Sequence, residues 1–376
     1  MAAKRCGDWF DYNQLTNVNS ADTGRYSYEV LVKKRVHTLY STNWTNGVTC
    51  LSVLMLYERI GNKKYLQSAE RAGEYLKSLQ VLDVRNRKNY GMIREIQPQT
   101  NWCHPRDALS AAWAMLHLGK VIKDKDYIER ALLFASWFKN NAFKNNYPAW
   151  TVYEEKKTAE WRLGSFHGGS PLFFLDLYEY TKEKYWLEKM ALPALDKYLK
   201  VFAKNNGSLR IVVDGKTGKD LTDVWERKTS LLWQHMHKLN DDFSCLALLR
   251  AYRITKNQKY LVPVIKFIDW CMKNQNKNGS FGKPFVSSGS ATIIMELLDL
   301  YKITKEEKYY DCAVKSAKFL MSIQELKIKD KRIFGGFYET GDDHFFGEAL
   351  GTRTSAYAMA AFLKLENKKQ YAYYTS

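Results

Sequence analysis

A helical hairpin pattern recurs along the whole chain. Each copy has an apolar stretch, a short turn and a second stretch that opens near a Tyr. In the fourth copy the apolar stretch 246–252 is followed by Thr255 and then by Lys259-Tyr260-Leu261. Repetition of one such unit is the signature of a repeat architecture. The copies cover residues 50–80, 108–138, 173–202, 246–275 and 295–324, with half a copy at 353–365.

The two stretches of a copy differ in how their apolar residues are placed. Residues 108–116 are apolar almost all round, which is typical of a helix buried on both sides, whereas residues 65–76 are amphipathic. An inner ring of apolar helices inside an outer ring of amphipathic ones is an α/α toroid. An open solenoid, the competing architecture, needs polar caps at its ends. We predict an all-α fold, an α/α toroid of about six helical hairpins.

One α/α-toroid domain is expected to cover residues 1–376. The half copy at 353–365 needs a partner helix, which we place near residues 28–39. Residues 1–25 are expected to form an irregular N-terminal arm.

The connections alternate between short and long. Turns within a copy are short, as at 60–63 and 255–258. Antiparallel hairpins place all short turns on one face, so the long links share the other face with the N-terminal ends of the inner helices. Loops of this length are uncommon unless functional, and helix N-termini attract anions. The functional site is therefore expected among the long links, which are 81–107, 140–169, 204–241, 276–288 and 325–352.

The chain carries an excess of positive charge, because 58 Lys and Arg face 40 Asp and Glu, a net charge of +18. Such a surface favours a polyanion. The alternative is a set of Lys-rich, solvated helix faces. Since no motif that reads a nucleic-acid groove is present, nucleic acid is disfavoured. We expect an acidic polysaccharide or oligosaccharide as the partner.

Several site types and locations are disfavoured by the sequence. No apolar run reaches the roughly 18 residues of a membrane helix, and residues 1–8 contain no apolar leader core. We therefore expect no membrane span and a cytoplasmic location, while the oligomeric state stays open. His235-x-His237 has no matched third ligand, so neither a metal nor another cofactor is expected. The cysteines in apolar helices are expected to be buried free thiols: Cys50, Cys245, Cys271 and Cys312.

The long links combine Trp and Tyr with His, Asp, Glu and Arg, a combination typical of sugar-binding sites. The aspartates that begin inner helices have helix capping as their alternative role: Asp107, Asp241 and Asp242. The candidate substrate-binding residues are Trp44, Asn46, Trp102, His104, Arg106, Trp150, Trp225, Asn240, Asp241, Glu339 and Arg353. The candidate catalytic residues are His167, His237, Tyr338, Asp107 and Asp242.

Trp44-Thr45-Asn46-Gly47, followed by the first hairpin copy, resembles the opening of the unsaturated glucuronyl hydrolases. That resemblance implies an α/α toroid of similar length. A His-Asp-x-Gly-Phe motif precedes the second inner helix in that family, and His104-Pro105-Arg106-Asp107 matches it in part. The family's third inner helix carries a catalytic Asp, whereas the matching stretch His167-Gly168-Gly169-Ser170 has no acid. Toroid polysaccharide lyases and glucuronyl C5-epimerases are looser matches, by fold and residue repertoire.

Three functions are compatible with these residues. The first is proton abstraction at C5 of a uronate, as in a polysaccharide lyase or uronyl C5-epimerase, and the missing acid before the third inner helix favours it. Arg106 and Arg353 would hold the carboxylate, with His167, His237 and Tyr338 as base and acid. The second is glycoside hydrolysis of the unsaturated glucuronyl hydrolase type, with carboxyls such as Asp107, Asp241, Asp242 or Glu339. The third is a non-catalytic toroid that binds a glycan or a protein.

Overall fold

The structure, a computed structural model, describes residues 1–39, 41–155, 159–222, 224, 239, 242–281, 287–339 and 348–367. The chain divides into two compact units. Unit 1 comprises Met1–Trp161, Glu325–Gly336 and Ala349–Met359. Unit 2 comprises Arg162–Gln324, Phe337–Glu348 and Ala360–Ser376.

Unit 1 begins with a helix, α1 (Ala2–Asn13), in place of the irregular arm expected over residues 1–25. Cys6, Phe10 and Asn13 recur every three or four residues and are all buried, so one helix face packs against the rest of the unit. Cys6 Sγ lies 3.4 Å from the carbonyl oxygen of Ser355. Polar residues lie between these positions and obscure the apolar pattern, so the sequence analysis did not predict this helix.

A β-hairpin occupies residues 28–39, where a helix was expected, and that prediction is wrong. Strand β1 (Glu29–Leu31) pairs antiparallel with β2 (Val36–Thr38). Arg35, in the turn between them, has a φ of 55°, which a helix does not accommodate. The β-branched valines on either side of this turn favour extended backbone.

Two helical hairpins of unit 1 lie where the sequence predicts them. The first pairs α2 (Asn43–Ile60) with α3 (Lys63–Ser78), and the second pairs α4 (Pro105–Ile122) with α5 (Lys125–Asn141). Helices α2 and α4 are buried along most of their length, whereas α3 and α5 each bury one face. Both hairpins therefore consist of an apolar helix followed by an amphipathic one.

Short strands organise the long links of unit 1. Strand β3 (Trp102–Cys103) pairs with β6 (Thr151–Tyr153), which also pairs with β7 (Ala159–Glu160). β4 (Phe143–Lys144) pairs with β5 (Tyr147–Pro148). The link before α4 and the link after α5 are thus held side by side.

Unit 2 repeats the helical hairpin. It contains α6 (Pro171–Thr181), a π-helical segment Trp186–Ala191 that continues as α7 (Leu192–Phe202), α8 (Ser244–Thr255), α9 (Gln258–Lys273), α10 (Ser287–Thr304) and α11 (Glu307–Ser322). Strands β8 (Leu163–Gly164) and β9 (Val212–Val213) pair antiparallel.

The last strand and helix complete the elements of the described chain. Strand β10 (Ala349–Gly351) pairs antiparallel with β1 in unit 1. Helix α12 (Thr352–Glu366) follows it directly, and its residues from Ala360 onward belong to unit 2. There Lys364 Nζ lies 2.7 Å from Asp299 Oδ1, and both side chains are buried.

The six cysteines are buried free thiols, and the prediction for those in helices is confirmed. Burial raises the pKa of Cys50 to about 12, which keeps it protonated. Over the part of the chain that the structure describes, no helix combines the length and the apolarity needed to cross a bilayer.

Candidate functional site

The N-terminal ends of α2, α4 and α12 meet in unit 1. Ser110 Oγ on α4 lies 3.2 Å from the carbonyl oxygen of Asn43 and 3.3 Å from that of Trp44 on α2. A Cβ at Gly47 would lie 2.5 Å from Ser110 Oγ, so only glycine permits this approach of the two helices. Trp44 Nε1 donates a hydrogen bond of 2.7 Å to the hydroxyl of Tyr357 on α12. Three positive helix ends therefore lie close together.

Arg106 lies between an aromatic ring and a carboxylate at this meeting point. Its guanidinium lies 3.8 Å from the centroid of the Trp44 ring, a cation–π contact. Arg106 Nη1 donates to Asp107 Oδ1 at 2.7 Å, and each of the two side chains is only 11% exposed. The charge of Arg106 is thus neutralised inside the protein. The sequence analysis did not anticipate this ion pair, and contact between Arg106 and a substrate carboxylate stays a prediction.

Asp107 also meets a second buried acid, Glu95. The Glu95 side chain is fully buried, its Oε2 accepts a 2.7 Å hydrogen bond from the backbone N–H of His104, and its carboxyl neighbours that of Asp107. Burial and the negative charge of Asp107 raise the pKa of Glu95 well above its usual range. Burial opposes ionisation of Asp107 as well, but the charges of Arg106 and His104 outweigh it and lower the pKa of Asp107.

His104 is oriented by the neighbouring strand β6. Its Nδ1 lies 3.0 Å from the carbonyl oxygen of Trp150 and 3.0 Å from Thr151 Oγ1. Because a carbonyl only accepts, Nδ1 carries the hydrogen, and Nε2 is the ring nitrogen that this contact leaves available. The Trp102 ring meets the imidazole edge to face at 4.8 Å.

We call Trp44, Glu95, His104, Arg106 and Asp107 the Asp107 cluster. The structure brings together the sequence-predicted residues Trp44, His104, Arg106 and Asp107, with Trp102 and Trp150 beside His104. Sequence reasoning missed Glu95. Its position depends on the bridge between Gln80 and Ile93, a pairing that the local sequence does not specify.

Two other predicted residues of unit 1 lie apart from these contacts. Asn46 is fully buried, and its side chain accepts from the backbone N–H of Tyr26 and donates to Ser41 Oγ and to the carbonyl oxygen of Thr42. Its hydrogen-bonding groups thus serve the packing of α2, which leaves no donor for a substrate. Arg353 lies half-buried in the first turn of α12.

The remaining described candidates belong to unit 2. His167 is buried, and its ring meets that of Phe166 edge to face at 4.6 Å. Tyr338 is half-buried, and its backbone N–H donates to the carbonyl oxygen of Ile323 at 3.0 Å. Asp242 is fully buried with a φ of 48°, and Glu339 is 8% exposed.

Gly168 and Gly169 allow the link with His167 to approach the start of α8. A Cβ at Gly169 would lie 2.0 Å from the carbonyl oxygen of Asp242, and one at Gly168 would lie 2.3 Å from Ser244 Oγ. The two glycines therefore permit contact between protein segments, which accounts for them without a ligand.

Four predicted site residues lie outside the described residues: Trp225, His237, Asn240 and Asp241. Within the described ranges, no three His, Cys, Asp or Glu side chains form a group that could hold a metal ion.

The solved structures with similar folds include enzymes that act on sugars. An unsaturated glucuronyl hydrolase specific for heparin has a TM-score of 0.73 and 14% identity, covering 99% of this chain and 98% of its own. Cellobiose 2-epimerase from Bacillus thermoamylovorans B4167 has a TM-score of 0.73 and 13% identity, covering 94% and 95%. An inactive variant of the α-1,6-mannanase GH76A of Salegentibacter sp. HEL1_6, in complex with α-1,6-mannotriose, has a TM-score of 0.66 and 16% identity, covering 97% and 98%. The sequence matches no protein-family profile and no curated protein.

These neighbours are α/α toroids, and the similarity extends over nearly the whole chain. The prediction of an all-α, α/α-toroid fold is confirmed. The predicted likeness to α/α-toroid carbohydrate-active enzymes is confirmed as well. At such low identity the likeness establishes the fold, and function has to be argued from the site.

Proposed function

We propose that this protein is a carbohydrate-active enzyme, a glycoside hydrolase that acts on an acidic oligosaccharide with Asp107 as a catalytic carboxylate. One observation carries the proposal: Arg106 keeps Asp107 ionised while the adjacent Glu95 has a raised pKa. A carboxylate that stays ionised in a largely buried site is one of the two carboxyl groups that glycoside hydrolysis uses. The fold shared with a glucuronyl hydrolase and a mannanase supports the same conclusion.

Asp107 supplies the negative charge that such a reaction needs. A carboxylate close to the anomeric carbon stabilises positive charge in the transition state or activates a water. Asp107 keeps 11% of its side chain exposed, whereas Glu95 is fully buried and out of reach of a leaving group. The proton donor is therefore a different group.

An acidic sugar is the substrate class that the charges favour. The converging N-terminal ends of α2, α4 and α12 attract anions, and the chain carries a net charge of +18. We assign contact with a sugar carboxylate to Arg353 in the first turn of α12. The solved glucuronyl hydrolase with this fold is specific for heparin, an acidic polysaccharide.

A second candidate function, proton abstraction at C5 by a lyase or epimerase, is favoured by His104. Its Nδ1 hydrogen is directed at the Trp150 carbonyl, so Nε2 is the atom that can take a proton from a sugar carbon. An epimerase is among the solved structures with this fold. The sequence-based proposals for His167, His237 and Tyr338 as acid–base groups remain untested predictions.

The absorbance of unsaturated uronate separates these functions. The substrates are unsaturated glucuronyl oligosaccharides together with intact glucuronan, alginate and heparosan. Hydrolysis of the unsaturated set releases a sugar that converts to its keto form, so the absorbance falls. Elimination from the intact polymers makes it rise, and epimerisation leaves it constant while deuterium from the solvent enters C5.

We expect a fall in absorbance with the unsaturated substrates. A rise, or exchange at C5 alone, would replace hydrolysis by the second candidate. Binding in equilibrium dialysis without any product or exchange would establish a non-catalytic glycan-binding protein instead.

A further inference from the structure

Glu95 has a feature that the proposed function does not use. Its Oε2 accepts the His104 backbone N–H, but its Oε1 has no N–H or hydroxyl donor among the described residues. The carboxyl of Asp107 is the neighbouring acidic group. Buried polar atoms are nearly always satisfied, so this oxygen needs an explanation.

A proton provides that explanation. Two ionised carboxylates offer only acceptors and repel each other strongly where water is excluded. Arg106 bonds directly to Asp107 Oδ1 at 2.7 Å, so the negative charge is best placed on Asp107. The proton then resides on Glu95, whose side chain is fully buried and has no cation bonded to it among the described residues.

We propose that Glu95 is a carboxylic acid at neutral pH, and that its O–H donates to Asp107 and positions that carboxylate. Its carbonyl oxygen meanwhile accepts the N–H of His104, so one side chain ties together the two polar groups at the start of α4. Glu95 is therefore a positioning residue. The catalytic part of this proposal rests on the proposed function, whereas the protonation state does not.

Glutamine is the informative substitution because it copies the protonated form. In Glu95→Gln the amide oxygen accepts from His104 and the amide N–H donates to Asp107, so both contacts persist. Glu95→Leu has similar size and removes both. Glu154→Gln is the matched control, since Glu154 pairs through both oxygens with Arg94 at 3.1 Å.

Infrared spectroscopy tests the protonation state without any substrate. At pH 8 we expect the wild-type spectrum to contain a carboxylic acid C=O band that Glu95→Gln lacks. In Glu154→Gln only carboxylate bands are expected to be lost. Loss of carboxylate bands alone in Glu95→Gln would overturn the proposal, because it would show that Glu95 is ionised.

Kinetics test the positioning role once a substrate is in hand. Glu95→Leu is expected to lower kcat by about 100-fold, because a displaced catalytic carboxylate loses its alignment. Glu95→Gln is expected to recover most of that loss at similar KM. Equal kcat losses in both variants, with both folded by circular dichroism, would exclude positioning by a donated hydrogen bond. If no substrate is turned over, the infrared result still stands and only the proposed function fails.

Discussion

At the scale of single residues, the charge state of Asp107 depends on a few neighbours. Burial alone would raise its pKa, and among the groups that oppose burial the charge of Arg106 contributes most. Arg106 is in turn held in place by stacking on Trp44, whose indole N–H is bonded to Tyr357. Each of these contacts constrains the next, so the carboxylate is preorganised before a substrate arrives.

Arg106→Met tests this dependence. Without the positive charge, burial raises the pKa of Asp107, and the acidic limb of the kcat/KM profile is expected to move up by about 1 to 2 pH units. Arg130→Met is the control, because Arg130 pairs with Asp126 on the outer helix α5 at 3.1 Å. If the acidic limb does not move in Arg106→Met, Asp107 is not the catalytic group whose pKa sets that limb.

The sequence predicts this site only in part. His104, Arg106 and Asp107 are neighbours in the chain, and the start of an apolar helix places them at the helix end. Glu95 reaches them through a link whose path depends on the β-bridge between Gln80 and Ile93, and a single sequence does not specify such pairings. For Arg106 the sequence analysis expected a substrate carboxylate as the partner and did not anticipate the ion pair with the adjacent Asp107.

At the scale of elements, the inner helices were predictable and the small elements were not. Each predicted hairpin rests on an apolar stretch, a short turn and a second stretch that opens near a Tyr. The structure agrees for the first hairpin, where α2 ends at Ile60 and α3 begins at Lys63, within the turn predicted at 60–63. Strand β1 has only three residues and is held by β2 and β10. Its pairing with residues more than 300 positions away carries no local signal.

Gly47 on α2 lies against Ser110 on α4, and its lack of a side chain lets the two helices pack closely. Gly47→Ala is expected to cost about 3 kcal/mol or more of unfolding free energy, because its Cβ would lie 2.6 Å from backbone atoms of Ser110. Gly61→Ala is the comparison: Gly61 has open space around it, so only its φ of 76° opposes alanine, at a cost of about 1 kcal/mol. Urea denaturation measures both values, and equal losses would mean that α2 and α4 can separate freely.

Glu29 in β1 predicts a pH-dependent loss of stability. Its carboxylate oxygens have no hydrogen-bond partner among the described residues, and burial raises its pKa from 4.5 to about 7. The folded state therefore holds a proton that the unfolded state has released, so stability falls as pH rises from 4.5 to 7. The loss above this range is about 3 kcal/mol.

Glu29→Gln removes this penalty. The variant is expected to match wild type near pH 4 and to be more stable at pH 8, measured by urea denaturation across that range. Glu129→Gln on the exposed side of α5 serves as the control and is expected to change neither value. A Glu29→Gln variant that is no more stable than wild type at pH 8 would contradict an unpartnered buried carboxyl.

At the scale of the whole molecule, the net charge of +18 acts at long range. Uncommitted positive charge concentrates an acidic oligosaccharide near the protein, and salt screens that attraction. KM for an acidic oligosaccharide is therefore expected to rise with ionic strength, while kcat stays constant. The same oligosaccharide with its carboxyls reduced to alcohols is the control. If salt leaves KM unchanged for both substrates, the net charge does not contribute to substrate binding.

Turnover by Asp107→Asn is the most direct test of the central claim, that Asp107 is the catalytic carboxylate. Asparagine keeps the size of the side chain and its place in the first turn of α4, so the fold should be unchanged while the charge is lost. Asp124→Asn is the matched control, because Asp124 caps α5 and asparagine caps a helix equally well. We predict that kcat of Asp107→Asn falls by about 100- to 10,000-fold on the substrate that wild type hydrolyses, whereas Asp124→Asn keeps wild-type turnover. Wild-type turnover by folded Asp107→Asn would contradict the account.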